Sequence, residues 1–260
     1  MSSINGQHHE FGGTARTTKG SCAIGVMAKV PLPGYSKTRL CPPLRPEEAA
    51  TLSAAFLRDT TTNIAQAAQS APIAGYAAYA PSGTEEALLP HLAQGTACVL
   101  ADGSIPAPHG VEGFGRCLLH AIQQMFAAGQ AAACVLSSDT PTLPTGSLVA
   151  AATALLLGDD RRVVLGACDD GDYYLLGMRL LYTRLFADIA WSTSSVAATT
   201  RTRAAELGLD LVELPPWYDI DDAAALERLV RESGGYDALW TRRAVLTLGL
   251  EAFSSSPCTA

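Results

Sequence analysis

The sequence predicts an α/β fold: a mostly parallel sheet with helices on both faces. Two observations carry that prediction. Short apolar runs alternate along the chain with longer segments whose apolar residues recur at three-to-four spacing. The composition, 48% hydrophobic and 17% charged over 260 residues, supplies material for a large core and carries no signature of disorder.

The apolar runs expected as strands are 22–28, 73–80, 96–100, 131–137, 163–167 and 209–214. Each is short and bounded by turn-forming residues, as buried strands are. The helical patterns are 46–69, 115–128, 147–157, 194–207 and 221–232. Pro46 followed by Glu47 and Glu48 suits a helix first turn, where proline and acidic side chains are both favoured. In 221–232, Leu226, Leu229 and Val230 fall on one side, so that helix is amphipathic. A single domain is expected over 21–252, with a flexible N-terminal segment at 1–20 and a polar, fraying tail at 253–260.

Composition also excludes some functions. A formal net charge of -7 argues against a nucleic-acid partner, which requires a cationic surface. No uncharged apolar stretch reaches the length of a membrane span, and the first twenty residues lack the apolar core of a signal peptide, so a cytoplasmic protein is expected. The seven cysteines, Cys22, Cys41, Cys98, Cys117, Cys134, Cys168 and Cys258, form no C-x-x-C pair and read as reduced small hydrophobes. His8, His9, His91, His109 and His120 make no metal-spaced cluster, and His120 is expected on a helix. No G-x-G-x-x-G follows the first strand, so a bound dinucleotide is not expected. A homodimer is left open.

In open sheets of this kind, ligands bind outside the carboxyl ends of the strands, so the residues just after each apolar run matter most. After the first strand, residues 28–40 read Ala-Lys-Val-Pro-Leu-Pro-Gly-Tyr-Ser-Lys-Thr-Arg-Leu. The prolines and glycine make a stiff loop, and Lys29, Lys37 and Arg39 are cations suited to a polyphosphate. A surface loop with solvated cations reads the same way, and the glycine spacing is not that of a Walker A loop. After the fourth strand comes Leu136-Ser137-Ser138-Asp139-Thr140-Pro141. Asp139 is a candidate ligand for Mg²⁺ or Mn²⁺ held against phosphates, though Asp139 or Thr140 could equally cap the next helix or make a turn.

The fifth run ends in Cys168-Asp169-Asp170-Gly171-Asp172-Tyr173-Tyr174, three acids around one glycine, which is either a solvated turn or a set of carboxylates for a metal or substrate hydroxyls. Trp191-Ser192-Thr193-Ser194 opens a helix, with Ser192 or Thr193 a candidate cap and Trp191 a candidate for sugar stacking or for the core. Asp219-Ile220-Asp221-Asp222 precedes the last amphipathic helix, with Asp221 or Asp222 its candidate N-cap.

Taken together, these strings resemble a bacterial family of GT-A-like transferases found with radical-SAM and arsenosugar biosynthesis genes. The family pattern A-K-x-P-x-P-G-x-x-K-T-R-L is matched by Ala28 to Leu40, G-S-D-x-P by Ser138 to Pro141, and D-G-G-Y-Y-L-x-G by Asp170 to Gly177. W-S-T is matched by Trp191 to Thr193 and D-I-D by Asp219 to Asp221. The first and third strings are the specific ones. The resemblance implies a nucleotide-diphospho-sugar transferase (GT-A) fold, with a more distant similarity to guanylyltransferases of cofactor biosynthesis. It implies that Lys37 and Arg39 meet the nucleotide phosphates, with Ala28, Lys29, Pro33, Gly34, Arg116 and Ser138 beside them. Asp139 takes the metal-bridging role of an Asp-x-Asp string whose first acid is missing here, and Asp221 completes the metal shell. Asp170, Gly171, Tyr173, Tyr174, Trp191, Ser192 and Thr193 line the donor or acceptor side, and Asp170, Asp172 and Asp221 are the candidate catalytic carboxylates.

Two departures from the pattern are visible. Asp172 stands where the family has its second glycine, which matters if that position needs positive φ or close backbone approach. Gly113 to Leu118 keeps the Gly-Arg of a G-x-x-L-G-x-R-L segment but replaces its leucines. The expected activity is metal-dependent transfer of a sugar from a nucleotide-diphosphate donor to a small-molecule acceptor. Nucleotidyl transfer with release of pyrophosphate is the alternative, and a nucleotide-binding module without catalysis the third reading.

Overall fold

The protein is described by a computed structural model over residues 20–232 and 234–251. Residues 1–19 and 252–260, where flexible ends are expected, lie outside the described residues together with His8, His9 and Cys258.

The elements are, in order, β1 (Cys22–Ala28), α1 (Pro46–Ala67), β2 (Ile73–Tyr79), α2 (Glu85–Leu88), β3 (Ala97–Leu100), α3 (Phe114–Ala127), β4 (Ala132–Leu136), α4 (Thr145–Leu157), β5 (Arg162–Ala167), β6 (Tyr173–Met178), α5 (Val196–Glu206), β7 (Asp210–Glu213), α6 (Ala223–Arg231) and α7 (Leu239–Thr247). The strands form one seven-stranded sheet in the order β3-β2-β1-β4-β6-β5-β7. Among the described strands only β6 runs antiparallel, against both β4 and β5. The expected mostly parallel sheet is therefore present.

Period-2 alternation in the buried strands sends successive side chains to opposite faces. From β1, Cys22, Ile24 and Val26 join one core cluster, with Leu57 and Ile64 of α1 and Leu148 and Leu155 of α4. Ala23 points to the other, with Leu119, Ile122 and Met125 of α3 and Val196 of α5. In β4, Cys134 and Leu136 face the first cluster and Val135 the second, so helices cover both faces. Cys22 and Cys134 are free thiols buried side by side, as expected of cysteines in apolar runs.

Besides β6 and the short α2, which are absent from the expected elements, three features differ from the sequence reading. The helix expected at 194–207 starts at Val196 with Ser195 at its cap position, so neither Ser192 nor Thr193 caps it. Neither Asp139 nor Thr140 caps α4, whose cap position is Pro144. The third is α7, for which no expectation existed. Its N-terminus is held by Asp59 of α1, which is fully buried and accepts hydrogen bonds from the backbone N–H of Trp240 (3.1 Å) and Thr241 (2.6 Å). With α6, it closes a third core cluster around Leu40, Phe56, Tyr218 and Ile220. That cluster anchors two chain segments that carry candidate site residues, 37–40 and 217–221.

Candidate active site

The strand order reverses between β1 and β4: β1 continues to β2 on one side, while β4 lies on the other. A crevice opens at the carboxyl ends of such a pair, and here a cavity of about 390 Å³ occupies it.

From β1, the loop folds back through hydrogen bonds of the Leu32 N–H to Ser36 Oγ and of Ser36 Oγ to the Val30 carbonyl. It then enters a 3-10 turn, Thr38–Leu40, whose Leu40 is buried in the third cluster. Lys37 sits just before that turn in a left-handed conformation (φ 50°, ψ 39°), an uncommon state for a non-glycine residue. Its ammonium lies 2.7 Å from Asp139 Oδ1 and 3.1 Å from Asp221 Oδ1, and it donates to the Ile220 carbonyl at 2.7 Å. The Lys37 side chain is only 7% exposed, with the Phe56 ring 5.4 Å away. Arg39 reaches Asp221 Oδ2 at 3.3 Å from a largely exposed position.

The segment carrying Asp219 and Asp221 is tied across the strand ends by backbone hydrogen bonds. Trp217 N–H donates to Ala167 O (3.1 Å), Asp169 N–H to Trp217 O (3.0 Å), and Ile220 N–H to Asp139 O (2.8 Å). Buried Ile220 lies between the two aspartates, so both stay at the crevice.

The β5–β6 hairpin supplies the other acids. Cys168 N–H donates to Asp172 O at 2.8 Å, Asp172 N–H to Asp170 Oδ1 at 3.0 Å, and Tyr173 N–H to Asp172 Oδ1 at 2.7 Å. Gly171 takes φ +95°, and its O accepts from Ala197 N–H at 2.9 Å. Asp172 is not in the left-handed region. The departure from the family glycine therefore carries no backbone strain, and the position that requires glycine is 171. Potential ligand atoms of Cys168, Asp170 and Asp219 lie within 4.8 Å of one another.

An aromatic wall faces the acids. Trp191 meets Phe114 edge to face (centroids 5.6 Å, 89°) and Tyr173 likewise (6.5 Å, 80°). A Cβ on Gly115 would lie 3.0 Å from the Trp191 ring, so a small residue there gives the indole its place.

The carboxylates differ in their titration. Burial works to raise the Asp139 pKa, but the Lys37 charge and hydrogen bonds from Lys37, Asp221 and Ser138 outweigh it and hold this carboxyl below its usual range. Asp221 is raised by burial and by the Asp139 charge, against the pull of Lys37. Asp172 is raised, first by burial and then by the Asp170 and Asp221 charges. Asp219 is pushed up to about 7, by burial first and then by Asp221 and Asp170.

An acid whose pKa is raised on folding binds more protons folded than unfolded, so stability falls as pH rises between the two values. Unfolding by urea in chelator is expected to show stability falling from about pH 4, near the ordinary aspartate pKa, to about pH 7. Asp219→Asn is expected to flatten that slope. An unchanged slope in the variant would remove Asp219 as its source.

Several expected site residues line the cavity: Ala28, Lys29, Lys37, Ser138, Asp139, Asp172, Tyr173, Tyr174, Trp191 and Asp221, with Tyr174 almost wholly buried and donating to the Pro215 carbonyl at 2.8 Å. Others do not meet it. Arg116 donates to the Gly103 (3.0 Å) and Ile105 (2.6 Å) carbonyls and so holds that loop rather than a nucleotide. Pro33, Gly34, Arg39, Gly171, Ser192 and Thr193 are not among the lining residues, and Asp170 is placed beside the cavity through its closeness to Asp219. Thr193 Oγ1 donates to the Ala190 carbonyl at 2.7 Å and thus shapes the loop that carries Trp191. Asp222 caps α6, accepting from Ala225 N–H at 2.8 Å, which leaves Asp221 free to face the crevice.

Sequence reasoning passed over Tyr35, Ser36, Phe114 and Cys117, which all line the cavity. It noted Asp219 only as part of a string; the alternation Asp219-Ile220-Asp221 was the signal that both acids share a side. His120, expected on a helix, is buried on α3 with Nδ1 3.3 Å from Asp102 Oδ1 and Nε2 3.2 Å from Gln124 Nε2.

Among solved structures, the fold is similar to that of a proposed nucleotide-diphospho-sugar transferase from Desulfovibrio desulfuricans G20. The TM-score is 0.73 and the identity 24%, over 88% of this chain and 97% of that one. It is also similar to a cytidylyltransferase from Leptospira borgpetersenii serovar Hardjo-bovis (strain JB197), with a TM-score of 0.51 and 9% identity over 92% of this chain and 99% of that one. At these identities the likeness is one of fold, and the fold is the expected GT-A type. No curated protein matches the sequence. No helix among the described residues is long and apolar enough to cross a membrane. Residues 61–193, from α1 through the Trp191 loop, match the family described as "Uncharacterized protein conserved in bacteria (DUF2064)", and the chain belongs to that family.

Proposed function

We propose that the protein is a metal-dependent glycosyltransferase that moves a sugar from a nucleotide-diphosphate donor to a small-molecule acceptor. The observation that carries this reading is the convergence of Asp139 and Asp221, from opposite sides of the crevice, on a single cation, the Lys37 ammonium. Two carboxylates that already share one cation form an oxygen donor set suited to Mg²⁺ or Mn²⁺, so these residues fit the metal that the fold implies. When bound, such an ion neutralises the charge that develops on a departing nucleoside diphosphate.

The chain's own groups do the rest. Lys37, and Lys29 at the end of β1, offer ammonium donors to phosphate oxygens. Trp191, Phe114 and Tyr173 give a sugar an apolar face to lie against. An acceptor hydroxyl attacks the anomeric carbon, and the bond from that carbon to the diphosphate oxygen breaks with its electron pair leaving on the nucleotide. The acceptor proton passes to a carboxylate, for which Asp172 and Asp219 line the cavity. The resemblance of the motifs to transferases found with arsenosugar genes agrees with a small-molecule acceptor.

Nucleotidyl transfer is the second reading, favoured by one observation. Lys37 stands on the two metal-type carboxylates, and Ser137 occupies the place of the first acid of an Asp-x-Asp string. A lysine there could meet a phosphate undergoing substitution as well as one departing.

Thermal denaturation with UDP, GDP, CDP, ADP and dTDP, their sugar conjugates and the matching triphosphates, with and without Mn²⁺, separates the readings. A saturating ligand adds about 3 kcal/mol to the folded state, which raises Tm by roughly 5–10 °C in a chain of this size. A Mn²⁺-dependent shift with one sugar nucleotide, and release of its nucleoside diphosphate, is expected. A shift confined to a triphosphate, with pyrophosphate released, would replace the glycosyl reading with the nucleotidyl one.

A further inference from the structure

The Lys37 ammonium has no donor to spare. It meets Asp139 Oδ1 at 2.7 Å, Asp221 Oδ1 at 3.1 Å and the Ile220 carbonyl at 2.7 Å, and an ammonium carries three N–H donors. Arg39 stands on the other oxygen of Asp221, Oδ2, at 3.3 Å. Lys37 and Arg39 thus balance Asp139 and Asp221, so the carboxylates suited to a divalent ion are already neutralised.

The two cations differ in how firmly they are placed. The Arg39 side chain is 71% exposed, so water screens its charge and it can swing away. The Lys37 side chain is only 7% exposed, and its backbone is pinned: its carbonyl accepts from Leu40 N–H at 2.9 Å, and Leu40 is buried in the third cluster. What can move is the Lys37 side chain, which lines the cavity. An ion that took Asp139 and Asp221 by itself would sit beside a buried ammonium and strip it of two acceptors. Like-charge repulsion and an unpaired buried cation both oppose that, with little solvent to screen either. A diphosphate relieves both effects at once. Its oxygens replace the carboxylates as acceptors for Lys37, and its negative charge stands between the ammonium and the ion.

We infer that Lys37 gates the metal site: it holds Asp139 and Asp221 until a phosphate group takes its ammonium, so the divalent ion and the nucleotide diphosphate bind cooperatively. This rests on the reading of the crevice as a metal-dependent transferase site. The coupling is reciprocal, so the ion tightens the diphosphate by the same factor as the diphosphate tightens the ion. A lysine that only bound phosphate would not affect the ion's affinity when no phosphate is present, whereas a gating lysine weakens it.

The test is equilibrium binding of Mn²⁺ to the intact protein, alone and with inorganic pyrophosphate as the probe. Free Mn²⁺ is followed by electron paramagnetic resonance, and a protein-free titration corrects for the Mn²⁺–pyrophosphate complex. In the unmodified protein, pyrophosphate is expected to tighten Mn²⁺ binding by about tenfold or more. Lys37→Met keeps an unbranched stem beside the Phe56 ring and removes the charge. It is expected to bind Mn²⁺ alone about tenfold or more tightly than the unmodified protein, with little further gain from pyrophosphate. Thermal denaturation gives a second readout. Mn²⁺ alone is expected to raise the Tm of Lys37→Met, whose carboxylates have lost their cation, and to leave the unmodified protein nearly unmoved. Arg39→Gln, which removes the exposed cation, is expected to retain the pyrophosphate coupling. In the unmodified protein, Mn²⁺ binding that pyrophosphate does not tighten would overturn the gate and leave the metal site standing. An unchanged affinity for Mn²⁺ alone in Lys37→Met would do the same. Failure of the functional reading looks different: Mn²⁺ bound by none of these proteins, with or without pyrophosphate, would remove the metal-dependent reading and the gate with it.

Discussion

Asp139→Ala is expected to abolish Mn²⁺-dependent nucleotide binding and to lower turnover by about 10²–10³-fold, the range seen when one preorganised charge-stabilising group is lost. The same substitution is expected to leave the protein folded. Lys37 loses its 2.7 Å partner but keeps Asp221 Oδ1 at 3.1 Å and the Ile220 carbonyl at 2.7 Å, so its ammonium is not stranded. The stability lost is about 1–3 kcal/mol, that of one charge-assisted hydrogen bond. Asp221, raised in part by the Asp139 charge, becomes the sole carboxylate on Lys37 and ionises more readily. Calorimetric titration with Mn²⁺, alone and with nucleotide, checks the first claim, and urea unfolding checks the second. Parent-like metal and nucleotide binding in Asp139→Ala would remove this carboxylate from the metal site. The combination is diagnostic, because a merely structural aspartate would lose stability without losing metal dependence.

Much of this was legible because it is local. The first strand ends at Ala28 and is followed by prolines and a glycine, and an aspartate follows the fourth strand; these local patterns alone put cations and an acid at the crevice. What stayed hidden depends on contacts distant in sequence. The Lys37 side chain is only 7% exposed, and the carboxylates it meets lie far along the chain, at positions 139 and 221. The start of α7 carries no local capping signal: Ala238 stands at its cap position, and the acceptor for its first N–H groups is Asp59, on another helix. A sequence-local capping rule has nothing to detect there. Arg116 was misjudged for a related reason. A cation beside a motif looks like a ligand contact until its partner is known, and here the partners are the backbone carbonyls of Gly103 and Ile105. The antiparallel insertion of β6 was equally unreadable, since a buried strand between parallel neighbours has the same apolar pattern in either direction.

Gly171→Ala is expected to destabilise the protein by about 3 kcal/mol or more, through a strained conformation and a clash acting together. The residue sits at φ +95°, where a side chain is disfavoured, and a Cβ built there would lie 2.1 Å from the Ser194 carbonyl oxygen. That oxygen belongs to backbone at the start of α5, and the Gly171 carbonyl is itself bonded to Ala197 N–H, so neither strand of the contact can retreat without loosening the other. The displacement would be felt in the cavity wall, because the same hairpin holds Asp172 there. Asp172→Gly, which restores the residue of the resembling family, is the informative companion. Position 172 is outside the left-handed region, so the aspartate relieves no strain by leaving, and the variant is expected to lose only the Asp172 Oδ1 hydrogen bond to Tyr173 N–H and some backbone rigidity, about 1–2 kcal/mol. Urea denaturation of both variants therefore ranks the two positions of the Gly-Asp pair. A tolerated alanine at 171 would mean that the hairpin and α5 are not locked together. A large loss at 172 would mean that the aspartate, not the glycine, is what holds the turn.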